Sequence, residues 1–282
     1  MRESGSDYAL RNRISHGWRR DPPDPRDHRL DSKRLKPVAL PETYLDLVDW
    51  MPPPQDQGGD NSCVAFACTY MKEFQEAKDH HEHAPLSQEY IFLEGLRREE
   101  RLKLPPNKSA ITIRIAMKVL QKQGVCLQSE WKYRPFDRDD SPARQLAKSA
   151  RKYRIASYAS MRSCEEMRQA IFQLGPIVTG IPVFNTLRSK EVDRTGVIPN
   201  KWRGNPYGHA LCFCGWDGTL YDGTGGFIFE NSWRSHYHKT KPWAYGSKYR
   251  PGFGTVSYAY IDHFIQKGIF YSWRSTDRLP PL

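Results

Sequence analysis

Two kinds of hydrophobic pattern divide this chain. Up to about residue 150 the apolar positions recur at helical spacing, and from about Tyr153 they come in short alternating or continuous runs. Ala65, Phe66, Tyr70, Met71 and Phe74 follow the three-and-four step of one helix face, predicting a helix over 62–77 with Asn61 or Ser62 placed to cap it. A second helix is predicted to open at Ser87. A third runs over 112–123, carried by Ile113, Ile115, Ala116, Val119 and Leu120 and ended by Gly124. Beyond Tyr153 the segments 177–181, 210–214, 226–230, 255–258 and 268–272 read as strands broken by Gly, Asp and Pro. One helix, about 164–173, interrupts them before Gly175-Pro176. The expected class is therefore α+β, with a helical first half and an antiparallel, β-rich second half. A chain of 282 residues can build one large core or two subdomains packed together.

The first 40 residues follow neither pattern. They hold ten Lys/Arg against six Asp/Glu, and Pro22, Pro23 and Pro25 rule out a helix or a central strand there. We read residues 1–40 as an extended leader and residues 41–282 as the folded domain, its helical subdomain at about 55–150 and its sheet subdomain at about 151–282. Tyr8, Leu10 and Trp18 are apolar residues by which such a leader can anchor across a groove and inhibit the site.

Composition narrows the function. No segment holds the roughly 18 apolar residues that span a bilayer. Residues 1–20 are polar and arginine-rich, unlike a secretory signal. A cytoplasmic location without a membrane span is the expectation, although export by another route would leave no such mark. The net charge of +11 is spread along the chain, without a zinc-finger, basic-region or RNA-binding signature. A nucleic-acid partner is therefore not expected. The six cysteines, at 63, 68, 126, 164, 212 and 214, form no paired CxxC pattern. His80, His81 and His83 sit at a helix end, where imidazolium is a common surface feature. Neither a metal nor a cofactor is expected.

The candidate chemistry begins with Cys63, in the first turn of the first predicted helix, where free backbone N–H groups and the macrodipole favour an anion such as a thiolate. Gln57 stands six positions before it. Far downstream come Gly208-His209-Ala210 and Asn231-Ser232-Trp233, the His 146 and the Asn 168 residues after Cys63. Ser62-Cys63-Val64-Ala65-Phe66-Ala67, this Gln, the Gly-His pair and the Asn-Ser-Trp run together resemble the papain-like cysteine peptidases, bacterial type, which also carry a Gly-Trp and an Asp-Pro-rich run in their leaders (here Gly17-Trp18 and 21–28). Trp131-Lys132-Tyr133 resembles the family's Trp-Pro-Tyr corner.

The resemblance implies a two-subdomain fold with the cleft between its halves. It implies a polypeptide substrate, with Cys63 as nucleophile, His209 as general base and acid and Asn231 as the residue orienting the imidazole. Trp233 would shield that contact from water, and Gln57 would donate to the oxyanion. The expected resting form is a thiolate–imidazolium pair. Several positions depart from the family pattern. Val64 replaces an aromatic, and Asn61, Arg234 and Ala110 stand where Gly is usual. Asp60 replaces a cysteine that many secreted members use in a disulfide, in keeping with a reducing compartment. The leading reading is a cysteine-type endopeptidase. Two alternatives are a thiol acyltransferase or amidase acting on a non-protein substrate, and a catalytically weak papain-like binding domain. Oligomeric state, natural substrate and P2 preference are not written in these motifs.

Overall fold

Helix α1, Cys63–His80, runs through the interior and is buried on nearly every side. The computed structural model describes residues 17–30, 35–81, 83–105, 108–202, 204–268 and 271–276. A helix enclosed all round must satisfy its polar residues internally. Lys72 and Glu76 form an ion pair one turn apart, and a Glu73 carboxylate oxygen accepts the Leu86 N–H at 2.8 Å. The helix runs three residues past its expected end at 77, to a left-handed His81 whose N–H donates to Glu76 O. Helix α2, Gln88–Arg98, is capped by Ser87, whose hydroxyl accepts the Tyr90 N–H. Thr112 does the same for α3, Ile113–Lys122, by accepting the Ile115 N–H. Helix α4, Pro142–Ala150, escaped the apolar pattern because little of it is buried; its signal is the proline in its first turn.

Strands β1, Trp18–Arg19, β2, Thr43–Tyr44, and β3, Ile111–Thr112, are short. The large sheet is built from β4, Ser157–Met161, β5, Ile177–Val183, β6, Tyr207–Asp217, β7, Gly226–Glu230, β8, Phe253–Ser257, and β9, Tyr271–Thr276. Their order is β4-β9-β5-β6-β7-β8, each pair antiparallel, with β2 added to β6. Helices α5, Cys164–Leu174, and α6, Lys190–Thr195, connect these strands. The strand expected at 210–214 is twice as long, and its extra residues at the front include His209, paired with Ile181. Tyr258, expected to close a strand, instead opens helix α7, Tyr258–Gln266, because the Ser257 hydroxyl accepts the Tyr260 N–H and caps it. Strand β4 was not expected from its mixed pattern and exists through its pairing with β9.

Helix α1 packs on β5 and β6, so the helical half and the sheet share one interior. The leader joins it. Trp18 and Leu30 are core residues. Leu30 donates its N–H to Ser160 O, and Ser160 returns one to His28 O, both at 2.8 Å. Asp21 accepts from the Arg114 N–H and from Trp273 Nε1, each at 3.0 Å, and the Arg114 guanidinium pairs with Asp27. Tyr8 and Leu10 lie outside the described residues. Among the described residues no helix is long and apolar enough to cross a membrane.

Candidate active site

Cys63 is the first residue of α1, with Ser62 at the N-cap position. Ser62 does not cap with its side chain. Its hydroxyl lies 2.6 Å from the Tyr133 hydroxyl, which also donates to Gln57 O at 2.9 Å. The ring of Tyr133 stands edge-on to Phe66, at 4.8 Å between centroids. The Trp-Lys-Tyr corner thus pins the approach to the helix; the Ala65 N–H donates to Ser62 O at 2.8 Å, while the Cys63 and Val64 N–H groups face the thiol.

His209 and Asn231 come from neighbouring stretches of the sheet, β6 and the end of β7. His209 Nε2 donates to Asn231 Oδ1 at 2.8 Å, and the same oxygen accepts the Ser232 N–H at 2.8 Å. Fixing the proton on Nε2 leaves Nδ1 as the basic nitrogen. The indole of Trp233 lies over the imidazole, with centroids 4.4 Å apart at 32°. Next to His209, the Ala210 N–H donates to Cys63 Sγ at 3.3 Å, tying β6 to the start of α1. Gln57 completes the group. Its backbone N–H donates to Ser232 O at 2.8 Å, Ser232 Oγ donates to its Oε1 at 2.6 Å, and its Nε2 donates to Asp60 O at 2.7 Å. One amide N–H is thereby used, and the other remains for a ligand. The structure brings the four expected site residues together, with Gln57 and His209 lining the cleft and Cys63 and Asn231 buried behind it.

Asp60 has a specific place in this arrangement. Both of its oxygens take the Arg138 fork, each at 2.9 Å, and they also accept the N–H groups of Phe136 and Asn61 at 2.8 Å. A buried, charge-assisted clamp therefore holds the loop that leads into Cys63. Sequence reading missed Asp60, Arg138, Tyr133 and Ser232 as supports. Ser232 and Tyr133 had a local signal, as parts of the Asn-Ser-Trp run and the Trp-Lys-Tyr corner.

The cleft, about 300 Å³, has Gln57, Gly58 and Asn61 on one wall and Tyr207, His209 and Trp233 on the other. Val64 is fully buried and forms no shelf at the cleft. Arg234 lies at the rim, 3.4 Å from Asp56. Ala110 is buried beside β3, and the β3 edge is taken by the leader in parallel register, Trp18 opposite Ile111 and Arg19 opposite Thr112. Gly17 reaches the thiol itself. It holds a positive φ of 76°, and a Cβ on it would stand 3.0 Å from Cys63 Sγ and 3.1 Å from Gly208 O. The Trp18 indole lies on Gly180, where any Cβ would overlap it.

Burial opposes both charges of the pair. Burial pushes the Cys63 thiol up to about 12, against weaker help from the Ala210, Val64 and Cys63 N–H groups. Burial pushes His209 down to about 4, against the Asn231 hydrogen bond, with Arg188 adding repulsion. Desolvation thus works against the expected thiolate–imidazolium pair, since it disfavours both charges. None of the six cysteines is in a disulfide. Among the described residues no three His, Cys, Asp or Glu gather as a metal site, and the His80 side chain lies outside them.

No family model matches the chain. A peptidase C1-like protein of Acanthamoeba polyphaga mimivirus, itself uncharacterised, is 28% identical over 214 residues, covering 72% of this chain and 64% of its own length. Among solved structures, xylellain, a cysteine protease from Xylella fastidiosa, matches with a TM-score of 0.70 at 21% identity, over 94% of this chain and 97% of that one. A procathepsin B of Trypanosoma congolense matches with a TM-score of 0.69 at 15% identity, over 97% and 89% of the two chains. A digestive procathepsin L of Tenebrio molitor larval midgut gives 0.67 at 15% identity, over 96% and 79%. The shared architecture is the α+β, two-subdomain papain-like fold.

Proposed function

We propose that this protein of papain-like fold is a cysteine-type endopeptidase that cleaves polypeptides through an acyl-enzyme on Cys63. In that reading, displacing Gly17 rehydrates the site, and the Cys63 proton passes to His209 Nδ1. The thiolate attacks the peptide carbonyl, and the oxyanion is met by the free Gln57 amide N–H and the Cys63 backbone N–H. His209 then protonates the leaving amine, and water, deprotonated by His209, releases the acyl group. Asn231 holds the imidazole in the tautomer this requires, and Trp233 keeps water from their hydrogen bond. The observation that carries the reading is the bond from His209 Nε2 to Asn231 Oδ1 at 2.8 Å, beneath Trp233 and one residue from the Ala210 N–H that donates to the Cys63 thiol. A histidine held for strand packing alone has no need of that tautomer lock.

The leader is part of the proposal. Residues 17–19 occupy the thiol and the β3 edge together, which supports a resting, covered enzyme. Six cysteines outside any disulfide, with Asp60 where many secreted members carry a cross-linking cysteine, support a reducing, cytoplasmic setting. The test is hydrolysis of an unstructured protein substrate by the Gly17→Ala chain, in which the cover is loosened, and by the same chain carrying Cys63→Ala. Activity at least on the order of 10⁴-fold above the variant is expected. Equal turnover by the two chains would remove Cys63 from the chemistry.

A further inference from the structure

The cleft continues past Trp233. Beyond the His209 wall it opens into a groove of about 880 Å³ that shares Asp56, Trp233 and Arg234 with the site. The direction of this groove follows from the chemistry. Leader residues Trp18 and Arg19 run from the thiol along β3 on one side. His209, which protonates the leaving amine, and Trp233 stand on the other. The groove therefore takes the part of a substrate that lies C-terminal to the cut.

Its charge is one-sided. Arg234, Lys239, Lys241 and Arg250 line it against one carboxylate, Asp56. Asp56 is already engaged, 3.4 Å from Arg234 and accepting the Gly58 N–H at 2.9 Å. Arg250 is turned inward, donating to Val48 O and Met51 O. Lys239 and Lys241 are exposed, and among the described residues no carboxylate lies within ion-pair distance of either. Lys241 rests over the Tyr245 ring at 4.5 Å from its centroid. Exposed Arg188 adds a further cation at the mouth, over Tyr207. Uncompensated cations along a concave wall focus a positive potential on whatever lies in it.

We propose that the groove selects polypeptides carrying Asp or Glu in the first few positions after the scissile bond, read by Lys239 and Lys241 with help from Arg234 and Arg188. This inference rests on the peptidase reading and narrows its substrate class. Exposed pairs of this kind act through modest, salt-screened attraction, so the selectivity should be roughly 3- to 10-fold at low salt and shrink as salt rises.

The test uses the intact chain and two peptides identical up to the cut, followed by Glu-Glu or by Gln-Gln. The acidic peptide should show the higher kcat/KM by that factor. The preference should fall toward unity in Lys239→Ala/Lys241→Ala and invert in Lys239→Glu/Lys241→Glu. In parallel, binding of a fluorescent Glu-rich peptide to the Cys63→Ala chain is followed by anisotropy, which needs no turnover. Cleavage of both peptides at equal rates would overturn the inference and leave the peptidase reading intact. Acidic peptide bound, lost in the lysine variants, but never cleaved by the wild type would keep the groove and sink the peptidase reading. A single-stranded oligonucleotide that binds where the acidic peptide does not would overturn the inference in favour of nucleic acid.

Discussion

Ser232 and Gln57 are joined twice: the Ser232 hydroxyl donates to Gln57 Oε1 at 2.6 Å, and the Gln57 backbone N–H donates to Ser232 O at 2.8 Å. Two motifs 175 residues apart are thereby held as one unit, and the Gln57 amide is turned with its nitrogen toward the cleft. Gln57→Ala should lower kcat by about 10²- to 10³-fold, the usual cost of one oxyanion donor, with a small change in KM. Ser232→Ala keeps the backbone bond and should cost roughly tenfold in kcat. A Ser232→Ala effect confined to KM would make that hydroxyl a substrate contact.

The Asp60–Arg138 clamp makes a separate prediction about stability. Removing either partner strands a buried charge, which typically costs about 3–5 kcal/mol. Asp60→Ala and Arg138→Ala should both lower the midpoint of urea unfolding, whereas Asp60→Asn, which keeps the shape and accepts the Phe136 N–H, should lower it less. Unchanged midpoints in both alanine variants would show that the loop before Cys63 is held by Tyr133 alone.

How much of this was legible in the chain follows from what kind of signal each residue carries. Helices α1 and α3 and strands β5 and β7 announced themselves, because a buried face imposes a period on the sequence. The convergence of Gln57, Cys63, His209 and Asn231 was legible only through the spacing of four motifs; hydropathy alone says nothing of it. Asp60 and Arg138 were not legible. They meet across 78 residues, and neither disturbs a local pattern. Trp18 could be marked as an apolar anchor, but its burial depends on the absence of a side chain at Gly180, a tertiary fact. The burial that opposes ionisation of Cys63 and His209 was hidden too, because it is a tertiary fact that a motif reading does not reach.

Gly17 offers a point test of the covered state. Its positive φ and its approach to Cys63 Sγ and Gly208 O leave little room for a methyl group. Gly17→Ala should loosen the leader and raise the activity of the intact chain several-fold. A point variant suits this test better than truncation, since Trp18 and Leu30 belong to the core. Lower activity in a folded Gly17→Ala protein would mean that the leader assists the site.

Asp21 sets a pH dependence on the docking of the leader. Burial raises its carboxyl from the ordinary 3.8 to about 6, outweighing the hydrogen bonds from Arg114 and Trp273. A group whose pKa rises on docking takes up a proton on docking, so its contribution is full below its ordinary value and lost as pH rises through about 6. Acid should therefore tighten the leader. The thiol-labelling rate of the wild type, divided by that of Asp21→Asn to cancel the titrations of Cys63 and His209, should climb from pH 4 to about 6 and then level off. A ratio that falls over this range would reverse the assignment.

The most direct measurement is the site and rate of alkylation by a thiol-directed epoxide, mapped by mass spectrometry on the Gly17→Ala chain and on the same chain carrying His209→Ala. An activated thiolate reacts well ahead of buried, protonated thiols. The account predicts modification at Cys63, with the five other cysteines unlabelled on the same timescale, and a rate that drops by roughly tenfold or more without the imidazole. Labelling spread over the six thiols, or a Cys63 rate indifferent to His209, would contradict it.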